Sequence, residues 1–170
     1  GSRGAEGIIK TANFAREKNI PYLGICFGFQ LAAVAFGRHV LNYTDANSTE
    51  LDPKTSHPVV DLLPEQKTVS NMGGSLRLGA HDITIKPNTI AYKAYDSSHV
   101  SRRHRHRYEI NTKYLPEFEK HGLVFSAESD NSKRMEMLEI PSHKFYFGVQ
   151  FHPRSEEHTS ELQSLRHLVC

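Results

Sequence analysis

The stretch PYLGICFGFQL, from Pro21 to Leu31, constrains this chain more than any other. Tyr22 to Cys26 is a short apolar run that reads as a buried strand. GFQLAAVAFGRHVL, from about Gly28 to Leu41, reads as a helix. Only a sharp turn joins them, with a cysteine at the junction and a glycine two positions away on each side. This is the sulfur counterpart of the G-x-S-x-G nucleophile elbow. Small residues at those positions let the turn tighten, so the side chain projects above the sheet edge. The helix that follows offers its N-terminus, whose partial positive charge lowers a thiol pKa and whose free N–H groups can hold a developing oxyanion. A cysteine in a strand is more commonly a small buried core residue. The flanking glycines at a strand–helix junction favour the nucleophile.

The neighbouring sequence completes an α/β pattern. Glu6 to Lys18 has Ile8, Ile9, Ala12 and Ala15 on one face and basic residues in its last turn, so it reads as a helix closed by Asn19-Ile20-Pro21. Helix, strand, sharp turn and helix imply a sheet with helices packed on its faces. Asp45 to Pro64 reads as loop. Strand candidates follow: LRLGA, HDITI, HRHRYEI, LVFSA, RMEMLEI and FYFGVQF. Between them lies a helix around Asn111 to His121 that Pro116 keeps short or kinked. No internal repeat is visible.

Composition excludes several functions. With 170 residues the chain suits one domain with a real core. The formal net charge of +2 gives no whole-protein field that would favour nucleic acid or membrane. No apolar run approaches the roughly 20 residues of a membrane span, and GSRGAEGIIK lacks the apolar core of a signal peptide. The two cysteines, Cys26 and Cys170, make no disulfide framework, so a reducing, cytoplasmic compartment is expected. The basic run RRHRHR could bind phosphate, and on a strand it would place His104 and His106 on one face like metal ligands. No third ligand is suitably spaced and no aromatic interleaves before Tyr108, so neither a metal nor nucleic acid is expected. A thiol nucleophile needs a proton shuttle. His152, ending an apolar strand, is the best placed of eleven histidines.

The elbow and the DANSTE that follows it resemble the class I glutamine amidotransferase domain of the CTP synthase family. The resemblance continues through GGSLRLGA (Gly73 to Ala80), RHRHRYEIN (Arg103 to Asn111) and GVQFHP (Gly148 to Pro153). It implies a three-layer α/β/α fold with a mostly parallel central sheet carrying the nucleophile elbow, here incomplete at the N-terminus. It implies that Cys26 forms a glutamyl thioester from L-glutamine and that His152 is the general base and then the acid for departing ammonia. Phe27, Gly28, Phe29 and Gln30 match the substrate-contacting stretch, with the Phe27 N–H as an oxyanion donor. Glu50 matches a carboxylate for the substrate's α-ammonium, and Arg107 an arginine for its α-carboxylate. The domain itself is expected to need no cofactor. In the family, ammonia passes to a separate synthetase domain that uses ATP and Mg²⁺ to aminate UTP, with GTP as effector, in a homo-oligomer expected to be a tetramer.

The resemblance covers residues 1–153, and both ends depart from it. Gly1-Ser2-Arg3-Gly4 matches the end of the family's G-G-F-G-x-R-G loop, whose earlier glycines supply the other half of the oxyanion hole. The strands before that loop and the synthetase domain have no counterpart in these 170 residues. After His152-Pro153 the family places the glutamate that orients the histidine, and here the position is Arg154, which can neither accept the imidazole N–H nor stabilise an imidazolium. In an extended chain Glu156 or Glu157 would lie roughly 7–10 Å beyond that place. RSEEHTSELQS, Arg154 to Ser164, reads in register as the translation of a sequencing-library adapter, so residues 154–170 are expected to be no part of the domain. The 170-residue chain is therefore expected to fold poorly and to be inactive. An amidotransferase-like module without catalysis, or another elbow-cysteine γ-glutamyl hydrolase, is the alternative.

Overall fold

The computed structural model describes residues 3–67 and 76–153. Helix α1 (Ala5–Glu17) leads into strand β1 (Tyr22–Ile25) and helix α2 (Phe27–His39). α1 buries Ala5, Ile9, Ala12 and Ala15, a single stripe of small and aliphatic side chains that packs on α2. On the outer side Glu6 pairs with Arg38 of α2 at 2.9 Å. α2 is buried from Phe29 to Gly37 because it lies between α1, a large sheet and a small one.

Residues 45–64 are not all loop. They contain β2 (Asn47–Ser48) and β3 (Pro58–Asp61), which join β6 (Glu109–Ile110) in a three-stranded sheet, β2 parallel and β6 antiparallel to β3. Strands of two residues carry too little periodicity to be read from sequence. Helix α3 (Pro64–Lys67) follows. LRLGA and HDITI merge into one strand, β4 (Arg77–Ile85), and helix α4 (Ile90–Tyr95) connects it to β5 (His99–His106). Thr89 caps α4, and the Glu139 carboxylate accepts the Ile90 and Ala91 N–H groups at 2.8 and 3.0 Å. The helix expected around Asn111 to His121 is a 3₁₀ turn (Thr112–Tyr114) and α5 (Leu115–Lys120), with Pro116 in the first turn of α5. Strands β7 (Val124–Ser129), β8 (Arg134–Glu139) and β9 (Tyr146–Val149) are the last of the described elements.

The large sheet runs β1-β9-β8-β7-β4-β5. Its strand directions correct one expectation: the sheet is mixed, with only the β1–β9 pairing parallel among the described residues. The α/β class with its elbow stands. Short connections link β7 to β8 and β8 to β9, and such connections return a strand antiparallel; a parallel neighbour needs a long crossover, which only β1 has. On one face Phe125, Met135, Leu138 and Tyr146 meet α1, α2 and α5. On the other, Ile83, Ile85, Met137, Phe147 and Val149 meet Ala91 and Ala94 of α4. The sheet curls until its far edge reaches the end of β9, where the His152 N–H donates to the Arg103 carbonyl of β5 at 3.2 Å. That curl carries β5 to the elbow.

Gly24 and Gly148 face each other in the β1–β9 ladder, beneath the first turn of α2. A Cβ on Gly24 would lie 2.7 Å from the backbone C and O of Gly28. One on Gly148 would lie 3.1 Å from the Phe29 ring and from Leu138.

A polar cluster is buried beside β8. Arg77 donates to Glu136 at 2.6 Å and to Ser129 at 3.0 Å. His106 Nδ1 lies 3.1 Å from the Tyr108 carbonyl, which can only accept, so Nδ1 carries the proton. His106 Nε2 then accepts from His104 Nδ1 at 3.0 Å. Burial, helped by the Arg77 charge, pushes His104 down to about 2 and His106 to about 3, so both stay neutral. Glu109 accepts from Arg134 at 3.1 Å, which favours the carboxylate. Its complete burial, with Glu136 nearby, outweighs that and raises it to about 8.

Two outcomes are expected. Gly24→Ala, which drives a methyl into backbone, should cost about 2 kcal/mol and lower Tm by about 4–8 °C, and an unchanged melting temperature would contradict the packing described. Stability should also peak near pH 6.5. As pH falls below 6.5, the ordinary histidine value, the unfolded chain gains protons on His104 and His106 that the folded chain refuses, so stability drops. As pH rises from 6.5 to about 8, folded Glu109 loses the proton that the unfolded carboxyl, at 4.5, has already shed, so stability drops again. Between 4.5 and 6.5 two histidines outweigh one glutamate. Melts across pH 5–8.5 check this, and Glu109→Gln should flatten the alkaline limb and steepen the acid one.

Candidate active site

Cys26 sits where β1 ends and α2 begins, with φ 52° and ψ −101°, a strained backbone for a residue with a Cβ. Its N–H donates to the Val149 carbonyl at 2.7 Å, so the end of β9 holds the turn shut. Tyr22, stacked on Tyr146 with centroids 4.7 Å apart, donates its hydroxyl to the Gly28 carbonyl at 2.8 Å. The thiol faces a cavity of about 320 Å³ lined by Cys26, Phe27, Gln30, Glu50, Arg107 and Tyr108, with Leu76, Arg105 and His106 closing it. That volume is within the range of small-molecule sites.

The elements explain this convergence. In DANSTE, Thr49 donates its hydroxyl to Asp61 at 2.7 Å and its N–H to the Val60 carbonyl at 3.0 Å, while the Glu50 N–H reaches the Ser48 hydroxyl at 3.2 Å. Asp45 accepts from the Ser56 hydroxyl at 2.5 Å, pairs with His57 at 2.5 Å and accepts the Ser56 N–H at 2.7 Å, and these bonds hold its carboxyl well below the usual range. The small sheet thus presents Glu50 beside β3. Arg107 and Tyr108 lie in the break between β5 and β6, and β6 pairs with the same β3. One strand therefore brings both predicted head-group residues to one cavity.

Four of the predicted substrate residues, Phe27, Gln30, Glu50 and Arg107, line the cavity with Cys26. Two do not. The Phe29 side chain is fully buried in the core over Gly148, and Gly28 accepts the Tyr22 hydroxyl through its carbonyl. His152 lines an adjoining cavity of about 780 Å³ with Arg103, His104, Leu78 and Gly79; Leu76 and Arg105 line both spaces. Arg154, Glu156 and Glu157 lie outside the described residues, as do Gly73 and Cys170.

The thiol also departs from expectation. Burial pushes the Cys26 pKa up; the Phe27 N–H and the Gln150 side chain pull the other way, and Glu50 and Glu109 add a further rise. The helix N-terminus alone does not produce a thiolate. Gln150 went unnoticed in the sequence although it stands two residues before His152: its side-chain amide lies 3.8 Å from Cys26 Sγ. The one available signal was a polar residue amid an otherwise apolar strand, FYFGVQF. Among the described residues no group of three or more His, Cys, Asp or Glu could hold a metal. Nor is any described helix long and apolar enough to cross a membrane.

Comparison with known proteins places this geometry. The class I glutamine amidotransferase family matches residues 1–169. The CTP synthase of Archaeoglobus fulgidus is 58% identical over 153 residues, and that of Pyrococcus horikoshii 53% over 154. Each alignment covers 90% of this chain but 29% of the relative, so the chain spans less than a third of their length. The glutaminase domain of Trypanosoma brucei CTPS, solved with bound acivicin, superposes with a TM-score of 0.90 at 37% identity, over 99% of this chain and 67% of that one. A glutamine amidotransferase from Thermotoga maritima, at 15% identity and a TM-score of 0.53, over 85% of this chain and 45% of that one, shares the fold alone. With sequence, fold and elbow agreeing along its length, the chain belongs to the class I glutamine amidotransferase family, beside the glutaminase domains of CTP synthases.

Proposed function

We propose that this chain is the glutamine-hydrolysing part of a CTP synthase, with Cys26 as nucleophile and His152 as its proton shuttle. The observation that carries the reading is the strained Cys26 elbow opening onto a cavity that also holds the Glu50 carboxylate and the Arg107 guanidinium, with Arg105 in its wall. Those two charges suit the α-ammonium and α-carboxylate of a free amino acid, Arg107 through its planar fork of donors. They leave the side-chain carboxamide directed at the sulfur.

The Cys26 thiol gives its proton to His152 as the sulfur attacks the carboxamide carbon, and the Phe27 N–H faces the oxyanion. Collapse expels the amine with the proton from His152, giving ammonia and a γ-glutamyl thioester. His152 then takes a proton from water, whose oxygen attacks the thioester. The C–S bond breaks, the sulfur takes back the proton held by His152, and glutamate leaves. Ammonia goes to a synthetase domain in the full-length protein, where ATP and Mg²⁺ support amination of UTP to CTP under GTP control, in a cytoplasmic homo-oligomer.

Residues 154–170 are read as foreign to the domain. Alignments of 153 and 154 residues with the archaeal relatives support this, while the family match running to residue 169 weighs the other way. Resequencing the gene should find a glutamate codon after Pro153; a reproducible Arg-Ser-Glu-Glu would refute it.

Activity is best tested as ammonia release by the full-length natural gene product. Cys26→Ala should reduce glutamine hydrolysis to background, and surviving activity would sink the mechanism. Glu50→Gln and Arg107→Met should each raise KM for glutamine by about 10–100-fold, with Cys26 still alkylated by iodoacetamide.

A further inference from the structure

We infer that Gln150 is a positioning residue for the Cys26 sulfur: its side-chain NH₂ is held against Sγ by Gln30 and donates to the thiolate when it forms. The inference rests on the proposed role of Cys26.

Bonds from three elements determine the orientation. Gln30 Nε2 lies 2.8 Å from the Tyr108 carbonyl, a group that only accepts, so the NH₂ of Gln30 must face it. The same NH₂ lies 3.0 Å from the side chain of Gln150, and there it can meet only Oε1. The NH₂ of Gln150 is therefore turned the other way, to Cys26 Sγ at 3.8 Å. The Tyr108 carbonyl also faces His106 Nδ1 at 3.1 Å, so the anchor of the chain is itself fixed. Backbone bonding holds Gln150 too, through its N–H to the Glu136 carbonyl at 2.8 Å.

Both amides are buried, Gln150 completely and Gln30 to 3% exposure. Two amides in an apolar interior are costly unless their groups are paired. Here a side-chain donor directed at the reacting atom comes from a residue whose acceptor is already taken. A flipped Gln150 would set its NH₂ against the NH₂ of Gln30, which is repulsive, and would turn its oxygen toward the forming thiolate, so a single orientation survives. The direction of the thiol's titration agrees: Gln150 opposes the rise that burial imposes.

A merely structural pair, tying α2 to β9, would not affect the thiol's acidity. The test is the pH dependence of Cys26 alkylation by iodoacetamide in the full-length gene product, where thiolate displaces iodide and the thiol proton goes to buffer. Glutamine plays no part. Gln150→Met should slow alkylation at pH 7 about tenfold and move its midpoint to higher pH. Gln150→Glu, with a carboxylate facing sulfur, should move it further. Gln30→Met, which leaves Gln150 in place but unlocked, should give a smaller shift in the same direction and covers the case in which the Gln150 variants do not fold. Unchanged profiles in folded variants would overturn the inference whatever the glutaminase rate does. If instead the profiles shift and the parent protein releases no ammonia from glutamine, the inference stands and the proposed function fails.

Discussion

The parallel contact between β1 and β9 is the constraint on which the site depends. It brings Gly24 opposite Gly148, and the missing side chains leave a trough in the sheet. The first turn of α2 fits into it, Gly28 backbone over Gly24 and the Phe29 ring over Gly148. Because the helix starts this close to the strands, Cys26 is forced into its strained turn and tied by its N–H to Val149. The same approach puts Gln30, one turn along α2, within reach of Gln150 on the continuation of β9. Strain at Cys26 is affordable because apolar packing of α2 on three sides holds the helix where it is.

A second constraint is the curl of the sheet. Edge strand β5 returns to the end of β9, and this places the basic run 102–107 across the mouth of the site. Alternation divides the run between two environments. His104 and His106 turn inward as neutral imidazoles whose tautomers are fixed by the Tyr108 carbonyl, while Arg103 and Arg105 line the open cavities. The inward pair is thus a spacer between the buried Arg77–Glu136 bridge and the Tyr108 carbonyl, and a neutral spacer adds no charge beneath the thiol.

Much of this was legible in the sequence, for identifiable reasons. The elbow was visible because strand, glycine spacing and helix are all local. Alternation correctly put His104 and His106 on one face. Glu50 and Arg107 were legible only through the family resemblance, because the two-residue strands that unite them have no periodicity to detect. Strand direction was misjudged because it depends on connection length, and the hairpins after Val124 decide it. Phe29 was read only as part of a motif, and its ring packs in the core over Gly148, a contact between distant residues that no local pattern reveals. Gln150 was missed because its meaning is relational: an amide in a strand becomes informative only once Gln30 and Sγ are seen around it.

The raised thiol pKa gives these pieces a joint consequence. A helix N-terminus was expected to lower the thiol pKa, yet the described site desolvates the sulfur more than it stabilises the charge. A cysteine kept mostly as thiol resists oxidation and stray electrophiles, since the thiolate is the reactive form. In the proposed reaction ionisation then has to be coupled to substrate. The bound amino acid covers the Glu50 carboxylate with its ammonium and so removes one of the charges that hold the thiol protonated. Glu50 would act twice, as the recogniser of the α-ammonium and as a brake on Cys26 that recognition releases, while Gln150 supplies the donor that the new thiolate requires.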